Sequence, residues 1–590
     1  MSALVVALLL ILAAPAGQAQ VAAPQSAQPL PLDAAVRTGT LPNGLSYFIR
    51  RNTRPEKRAM LRLAVKAGSI DEADDQRGLA HMLEHMAFNG GKHFKPGELV
   101  AYLESIGARF GPHVNAYTSY DETVYMLDVP TDREGVLTRG VEALSDFAGG
   151  DTLDDQEIDK ERGVVIEEWR GRLGAGTRMQ EPQMKALYGA SKYADREPIG
   201  LPEILQTFPA QRLRDFYRDY YRADRMGVVI VGDFDADAVE KLVRDEFGAL
   251  PARPPAERPI SPIPPHQETR YVTVSDPEAQ GSSVSIVLKR PRQEFRTASD
   301  YERLLVRSLL SQMANARFAE MSRAADAPFI RASLGDDDFG RDTEATMVSA
   351  RVNDGAIEKG LAAIEQEIVR IQQFGFGQAE LDRAKAAMMA SYERAFNERN
   401  TTESDDYASE LVRHFLDGEP APGIERELAI VRDVLPRITV ADVSNTAKAM
   451  LGDANRVVLA SAPQKPGVQP VTEAALQAAL LAGSKATVTA WKDEMAGREL
   501  LAKKPTPGSV RSRRELPQIG TTVLTMSNGA EVWLKPTDFR NDQIIFSSYA
   551  YGGTSLAPPA DYQDATLSTS LVGLAGVGGF SPVDLQKLLS

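Results

Sequence analysis

A chain of 590 residues with 43% hydrophobic and 25% charged content is too long for one hydrophobic core and has the composition of a soluble globular protein, so two to four domains are expected. A formal net charge of −14 leaves no basic excess to displace phosphate counterions, which excludes a nucleic-acid partner. The absence of cysteine excludes disulfides, a lipoprotein anchor and thiolate metal ligands, so any metal site must draw on His, Asp and Glu.

The N-terminus reads MSALVVALLLILAAPAGQAQ. Its apolar run is too short to span a bilayer and suits a signal-peptide core, with Gly17 and Ala19 as the small residues before a cut at 19. Residues 1–19 are therefore expected to be a signal peptide and 20–36 a polar, Pro-rich spacer. No later segment has eighteen consecutive apolar residues, so no stable membrane insertion is expected after signal cleavage, and the location implied is the periplasm. A first domain is expected over 37–250. It opens with TLPNGLSYFIRR, a Pro-Asn-Gly turn followed by alternating strand residues, and MLRLAVKAGS gives a second strand. Helical periodicity follows at 78–89 and 97–106, two strands at 113–130, helices near 132–148, 154–172 and 208–219, a buried strand at 226–234 and a helix at 236–247.

The proline-dense stretch LPARPPAERPISPIPPHQ predicts a linker, placed at 251–267. A second unit over 268–463 repeats the same grammar: a strand at 282–288, a long helix at 300–323, a strand at 344–352, helices at 354–373 and 378–396, and a closing strand at 456–463. A looser inter-half linker is expected over 464–512, with a helix at 473–482. Beyond it, LTMSNGAEVWLK echoes the opening hairpin, YAYGGTS echoes AVKAGS, and GGFSPVDLQKLLS echoes GKHFKPGELVAYLES, all at an offset of about 485 residues. Residues 513–590 thus read as the start of a third homologous domain without the histidines of the first, cut short at Ser590.

The chemistry is concentrated in GLAHMLEHMAFNG, residues 78–90. Six histidines occur in the chain, yet His81 and His85 fall four apart, with Glu84 between them on the same helical face. Leu79, Met82, Leu83 and Met86 form the opposite apolar stripe that would seat the helix in a core. Two imidazoles one turn apart and an adjacent carboxylate fit a zinc site in which Glu84 acts as general base. A catalytic zinc needs a third protein ligand. In DKERGVVIEEWRGR, Glu161 and Glu168 lie two helical turns apart on one face, while Glu167 points elsewhere. Taken alone, acids on a helix are mostly solvated. His93, His113, His266 and His414 have no partner at ligand spacing, and Trp169 and Tyr220–Tyr221 read as core residues.

The H-x-x-E-H order, with LPNGL before it, NAYTSYDETVY after it, ER-x-VV-x-EE and a closing VGDF, resembles the pitrilysin/insulinase family of inverted-zincin metallopeptidases, and its bacterial exported branch in particular. The resemblance implies an α+β fold of tandem homologous domains, each a mostly antiparallel sheet with helices on one face, arranged as a clamshell of two halves. It implies one Zn2+ per chain held by His81, His85 and Glu168, with Glu167 the alternative third ligand, Glu84 as general base and Glu161 supporting a ligating histidine. It implies a peptide substrate added as a strand along the NAYTS edge, which makes Asn115, Ala116 and Tyr117 the substrate-contact candidates. In the family an Arg/Tyr pair from the second half assists. Those positions would fall beyond Ser590, so a missing C-terminal half or a second chain is expected to close the chamber. The function implied is an exported zinc endopeptidase. A non-catalytic peptide-binding subunit of the same fold and a metallohydrolase of a non-peptide amide are the rival readings.

Overall fold

The computed structural model describes residues 28–254, 256–493, 498–501, 503–539, 543–576 and 578–589. The expected signal peptide and the first part of the spacer lie outside the described residues.

The first unit comprises β1 (Val36–Thr40), β2 (Ser46–Arg51), β3 (Arg58–Val65), α1 (Leu79–Met86), α2 (Glu98–Ser105), β4 (Val114–Thr118), β5 (Thr123–Pro130), α3 (Val136–Gly149), α4 (Asp155–Gly171), α5 (Ala175–Tyr188), α6 (Pro202–Thr207), α7 (Ala210–Tyr220), β6 (Met226–Gly232) and α8 (Ala236–Phe247). Its sheet has the order β1-β2-β6-β3-β5-β4 and is antiparallel except for the β2–β6 pair. The β1–β2 turn is fixed by Asn43, whose side-chain amide donates to the Phe247 and Leu250 carbonyls at 2.7 and 3.1 Å, and by Gly44 at φ +97° against Asp224. Strand β6 is buried along its whole length because both faces of the sheet are covered, which explains its unbroken apolar run.

The second unit comprises β7 (Arg270–Asp276), β8 (Ser282–Pro291), α9 (Ala298–Met321), β9 (Arg331–Asp338), β10 (Thr343–Val352), α10 (Ile357–Phe374), α11 (Gln378–Glu398), α12 (Ser404–Asp417), α13 (Ile424–Val434), α14 (Val440–Met450), β11 (Arg456–Pro463) and α15 (Glu473–Ser484). Its order, β7-β11-β8-β10-β9, repeats β2-β6-β3-β5-β4 strand for strand, including the single parallel pair. Five helices lie between β5 and β6 and five between β10 and β11, so α4 corresponds to α11 and α5 to α12. By the same correspondence α15 is the partner of α8. It was expected in the inter-half linker, but its Leu476, Ala479 and Leu480 belong to the second core, which therefore extends past 463.

Each unit covers the far side of its neighbour's sheet. Tyr407, Ala408, Leu411 and Val412 of α12 pack against Phe48, Met60, Ala64, Val124, Val229 and Val231 of the first sheet. Reciprocally, Leu187 and Tyr188 of α5, with Tyr193, pack against Val287, Ala345, Val457 and Leu459 of the second. The expected spacer and linker are strapped along this seam rather than free. Leu30 and Asp33 donate backbone bonds to Arg296 and Ala421 at 2.8 and 2.9 Å, and Arg258 grips Asp71 at 2.7 Å.

The third segment contains β12 (Val510–Leu516), β13 (Thr521–Met526), β14 (Glu531–Leu534), α16 (Tyr562–Ala575) and α17 (Pro582–Leu589). The offset of about 485 carries β1, β2, α1 and α2 onto β13, β14, α16 and α17. The same offset carries β3 onto about 543–550, just before and into YAYGGTS, but no strand forms there. Ile544, Ile545, Phe546 and Tyr551 are almost fully exposed, and the β5 and β6 equivalents that flank β3 in the first unit have no counterpart beside them among the described residues.

Candidate metal centre

Helix α1 is capped by Gly78, whose φ of +101° disfavours a side chain, and the chain passes so close there that a Cβ on Gly200 would sit 2.3 Å from the Gly78 Cα. Buried Glu72 occupies the helix N-terminus and accepts from the Gly78 and Ala80 N–H groups at 3.0 and 2.8 Å. The apolar stripe Leu79, Met82, Leu83 and Met86 is sunk in the core, which turns His81, Glu84 and His85 toward α4 and β4.

There, His81, His85 and Glu168 converge. Glu168 Oε2 lies 3.6 Å from His81 Nε2 and 3.3 Å from His85 Nε2, and the imidazole centroids are 4.7 Å apart at 80°. These separations are long for hydrogen bonds. They match donors about 2.0–2.2 Å from a tetrahedral cation, which stand about 3.3–3.6 Å from one another. Two imidazole nitrogens and a carboxylate oxygen, with no sulfur, suit zinc and leave a fourth position open. The residues present therefore fit the ion that the sequence implies.

The surroundings hold these donors in place. Glu161 Oε1 accepts from His85 Nδ1 at 2.8 Å, which keeps the proton on Nδ1 and leaves the Nε2 lone pair facing Glu168. Asn89 donates to Glu161 Oε2 at 2.8 Å. Arg172 binds the outer oxygen of Glu168, leaving the inner one for the site. Glu167 turns outward to Arg170, so the alternative third ligand is removed by geometry. His81 Nδ1 is buried without a hydrogen-bond partner among the described residues. Burial, and then the neighbouring His85, push His81 down to about 4, so its imidazole is neutral and able to donate a lone pair near pH 7. Burial opposes protonation of His85, but the Glu161 bond and the surrounding carboxylates outweigh it and raise the pKa.

Glu84 lies over the same space. Its Oε2 accepts from Thr118 Oγ1 at 2.6 Å, which ties it to β4, and burial raises its carboxyl above the usual range despite that bond. Strand β4 is the edge of its sheet. Ala116 and Thr118 share the face of α1, whereas Asn115 and Tyr117 point to the α12 face, so the three substrate-contact candidates are divided between two sides. Trp169, expected in the core, is only partly buried on α4, whereas Tyr221 is buried against Tyr125.

Residues 47–182, which carry His81, Glu84, His85, Thr118, Glu161 and Glu168, match the family described as Insulinase (Peptidase family M16), and residues 207–388 match its Peptidase M16 inactive domain. The chain belongs to peptidase family M16. Among relatives of this M16 chain, the "Zinc protease PQQL-like" of Arabidopsis thaliana is 34% identical over 94% of the chain and 55% of its own length. The "Probable zinc protease PqqL" of Haemophilus influenzae is 27% identical over 95% and 61%. The crystal structure of the periplasmic protease PqqL from Escherichia coli superposes with a TM-score of 0.74 at 26% identity, covering 95% of this chain and 62% of that one. The structure of the first half of that protease gives 0.73 at 27% identity, covering 79% and 100%. The M16 chain thus spans little more than half the length of the curated relatives it matches, and their names imply zinc. Among the described residues no helix is long and apolar enough to cross a membrane.

Sequence reasoning missed Glu72, Asn89, Thr118 and Arg172. Asn89 and Arg172 had a signal, since each lies four residues beyond a site residue, His85 and Glu168, just past the end of that residue's helix. Thr118 and Glu72 had none, because their partners are set by sheet register and by the fold of the loop before α1.

Proposed function

We propose that this chain is the catalytic part of an exported, periplasmic zinc endopeptidase that hydrolyses peptides or small unfolded proteins, with one zinc ion per chain. The observation that carries the reading is the convergence of His81, His85 and Glu168, with Glu168 at tetrahedral spacing from both imidazoles, beside Glu84 and the edge strand β4.

Bound by those three side chains, zinc would supply Lewis acidity to a peptide carbonyl and to water. The protein's own residues do the rest. Glu84, held by Thr118, takes the proton of the attacking water and returns it to the leaving amine. Glu161 keeps His85 in the ligating tautomer, and Arg172 fixes which Glu168 oxygen faces inward. A peptide adding to β4 gains backbone hydrogen bonds without reading sequence, which suits a broad substrate range. The remaining C-terminal half, or a second chain, would close the chamber over the site.

Glu84→Gln tests the mechanism. The variant is expected to keep stoichiometric zinc, measured by elemental analysis, while hydrolysis of a mixed peptide library falls by about 10²- to 10⁴-fold. Undiminished cleavage would remove Glu84 as the base, and capture of peptide without product by the unsubstituted chain would mark a binding subunit.

A further inference from the structure

On the α12 side of the first sheet, below the β4–β5 turn, the two units enclose a cavity of about 770 Å³ lined by charged side chains from both. Three of its cations have no carboxylate within 4 Å among the described residues. Arg225 is 8% exposed, and its Nε and Nη1 atoms have no hydrogen-bond partner among the described residues. Asp71, whose charge acts on it most strongly, is already gripped by Arg258 at 2.7 and 3.2 Å. Lys66 stands over the Phe415 ring at 4.4 Å. Arg341 reaches only the Arg258 and Pro259 carbonyls, at 3.3 and 3.1 Å. Buried guanidinium nitrogens left unbonded are costly, and such atoms mark where a water, an ion or a polar ligand is to be sought.

The second unit supplies an internal control. Lys66 and Arg225 lie one step past the Val65–Met226 pair of β3 and β6 and share a backbone bond of 2.8 Å. Their counterparts, one step past Leu288–Arg456 of β8 and β11, are Lys289 and Asn455, joined in the same way. Those two are satisfied: the Lys289 ammonium donates to the Leu187 carbonyl, and Asn455 Oδ1 accepts from the His266 N–H at 2.5 Å. The fold therefore does not require an unmatched pair of cations at this position. The first unit alone has one.

The cavity is placed to meet a peptide. A strand added outside β4 would repeat its alternation, so every second side chain would point to the α12 face, as Asn115 and Tyr117 do. Tyr117 lies on that face two residues before Ser119, whose N–H donates to the Glu122 carbonyl at 2.8 Å in the β4–β5 turn, and Asp121 and Glu122 of that turn line the cavity. Of the lining acids with no cation within 4 Å, Asp342 takes the Thr343 hydroxyl at 2.9 Å. The other, Glu122, is pushed up to about 7 by burial and by Asp121 and Asp417, so its charge is partly lost near neutrality.

We propose that this cavity receives the carboxylate of an acidic side chain on a peptide bound along β4, with Arg225 and Lys66 as its cationic partners. The inference rests on the peptidase reading and adds a substrate preference to it. The test uses the Glu84→Gln chain and pairs of short fluorescein-labelled peptides that differ by Glu or Gln at one position, with affinity read by anisotropy. At one position on the α12 face the Glu peptide is expected to bind about ten-fold more tightly, a margin of about 1.4 kcal/mol. Arg225→Gln should bring that ratio near one, and Lys66→Gln should lower it. Lys66→Gln and Arg341→Gln carry the test if Arg225→Gln fails to fold. Equal affinity for every Glu and Gln pair overturns the carboxylate site, while cleavage of both peptides by the unsubstituted chain would leave the peptidase reading standing. Absence of both binding and cleavage overturns the two together.

Discussion

The same pair of helices meets in both units, with opposite outcomes. In the first, α1 faces α4, and Glu168 stands 3.6 and 3.3 Å from the Nε2 atoms of His81 and His85, at the spacing of metal ligands. In the second, α9 faces α11, and Arg317 is bonded to Glu380 at 2.7 and 2.8 Å, to Glu367 at 3.0 Å and to the Gly375 carbonyl at 3.0 Å. Arg317 is 2% exposed and lies under Phe376 and Trp491. One helix pair presents donors suited to a metal cation; the other carries its cation as a side chain. The topology is shared, so it is neutral as to chemistry. What separates a site from a strut is whether the buried charges close on themselves.

That contrast can be broken from either end. The largest effect is expected from His85→Ala, which removes one of three ligands and leaves Glu161 and Glu168 facing each other across a void. Zinc should be lost, and hydrolysis should fall by about 10³-fold or more, the equivalent of several kcal/mol of Lewis-acid stabilisation. Dialysis followed by elemental analysis, beside a peptide assay, measures both. In the second unit, Arg317→Met should leave zinc stoichiometry intact and destabilise that unit by about 3–5 kcal/mol, because Glu367 and Glu380 stay buried without their partner. Chemical denaturation followed by Trp491 fluorescence reads this. Zinc loss in Arg317→Met would mean that the two helix pairs are not independent.

The next expected effect concerns Glu72, which holds the start of α1. Burial pushes its carboxyl up to about 8, against the opposing influence of the Ala80 and Gly78 N–H groups. An unfolded glutamate titrates near 4.5. The folded state therefore keeps a proton that the unfolded state has released, and this contribution to stability is complete below pH 4.5 and is lost as pH rises through 8. Glu72→Gln can still accept from Gly78 and Ala80 but cannot titrate. Thermal midpoints of the variant should fall less steeply with pH between 4.5 and 8 than those of the unsubstituted chain. Parallel curves would show that Glu72 is ionised throughout.

Much of this comparison was visible in the sequence, and the gaps have physical causes. H-x-x-E-H on an amphipathic stripe fixes three side chains because an α-helix places i, i+3 and i+4 together whatever surrounds it. The seven-residue spacing of Glu161 and Glu168 works in the same way. Helix α5 was missed because it buries only Leu187 and Tyr188, carries Pro182 and packs on the other unit's sheet, so no 3.6-residue stripe marks it. The edge strand β9, RASLGDDD, buries only Leu334 and lacks the alternation that reveals a strand. The exchange of α5 and α12 between units is a fact of tertiary packing, with no local signature. The third segment's β3 counterpart has no neighbouring strands to pair with among the described residues.

A smaller effect is expected one layer out from the ligands. Glu161→Gln keeps the size of the side chain but gives up the charged bond to His85 Nδ1 and disturbs the bond from Asn89. Zinc affinity should weaken by about 10- to 100-fold, as is usual when a ligand's supporting carboxylate is changed, and competition with a fluorescent chelator measures it. Nothing in the second unit should respond, and its unfolding transition serves as the internal standard.

The smallest effect argued for is at Thr118, where the edge strand and the motif helix touch. The Thr118 hydroxyl donates to Glu84 Oε2 at 2.6 Å, and its neighbours on β4 present the backbone that a peptide would pair with. Thr118→Val is nearly isosteric, so strand and helix should stay in place while Glu84 loses one of the contacts that aim it. One hydrogen bond to a carboxylate is worth about 1.5–3 kcal/mol when fully buried, and less here because Glu84 can turn to water, so kcat should fall by about five-fold with zinc content unchanged. Thr118→Ser restores the hydroxyl and should recover most of the loss. A full loss of activity in Thr118→Val, or no recovery in Thr118→Ser, would mean that the strand's position rather than this hydrogen bond governs Glu84.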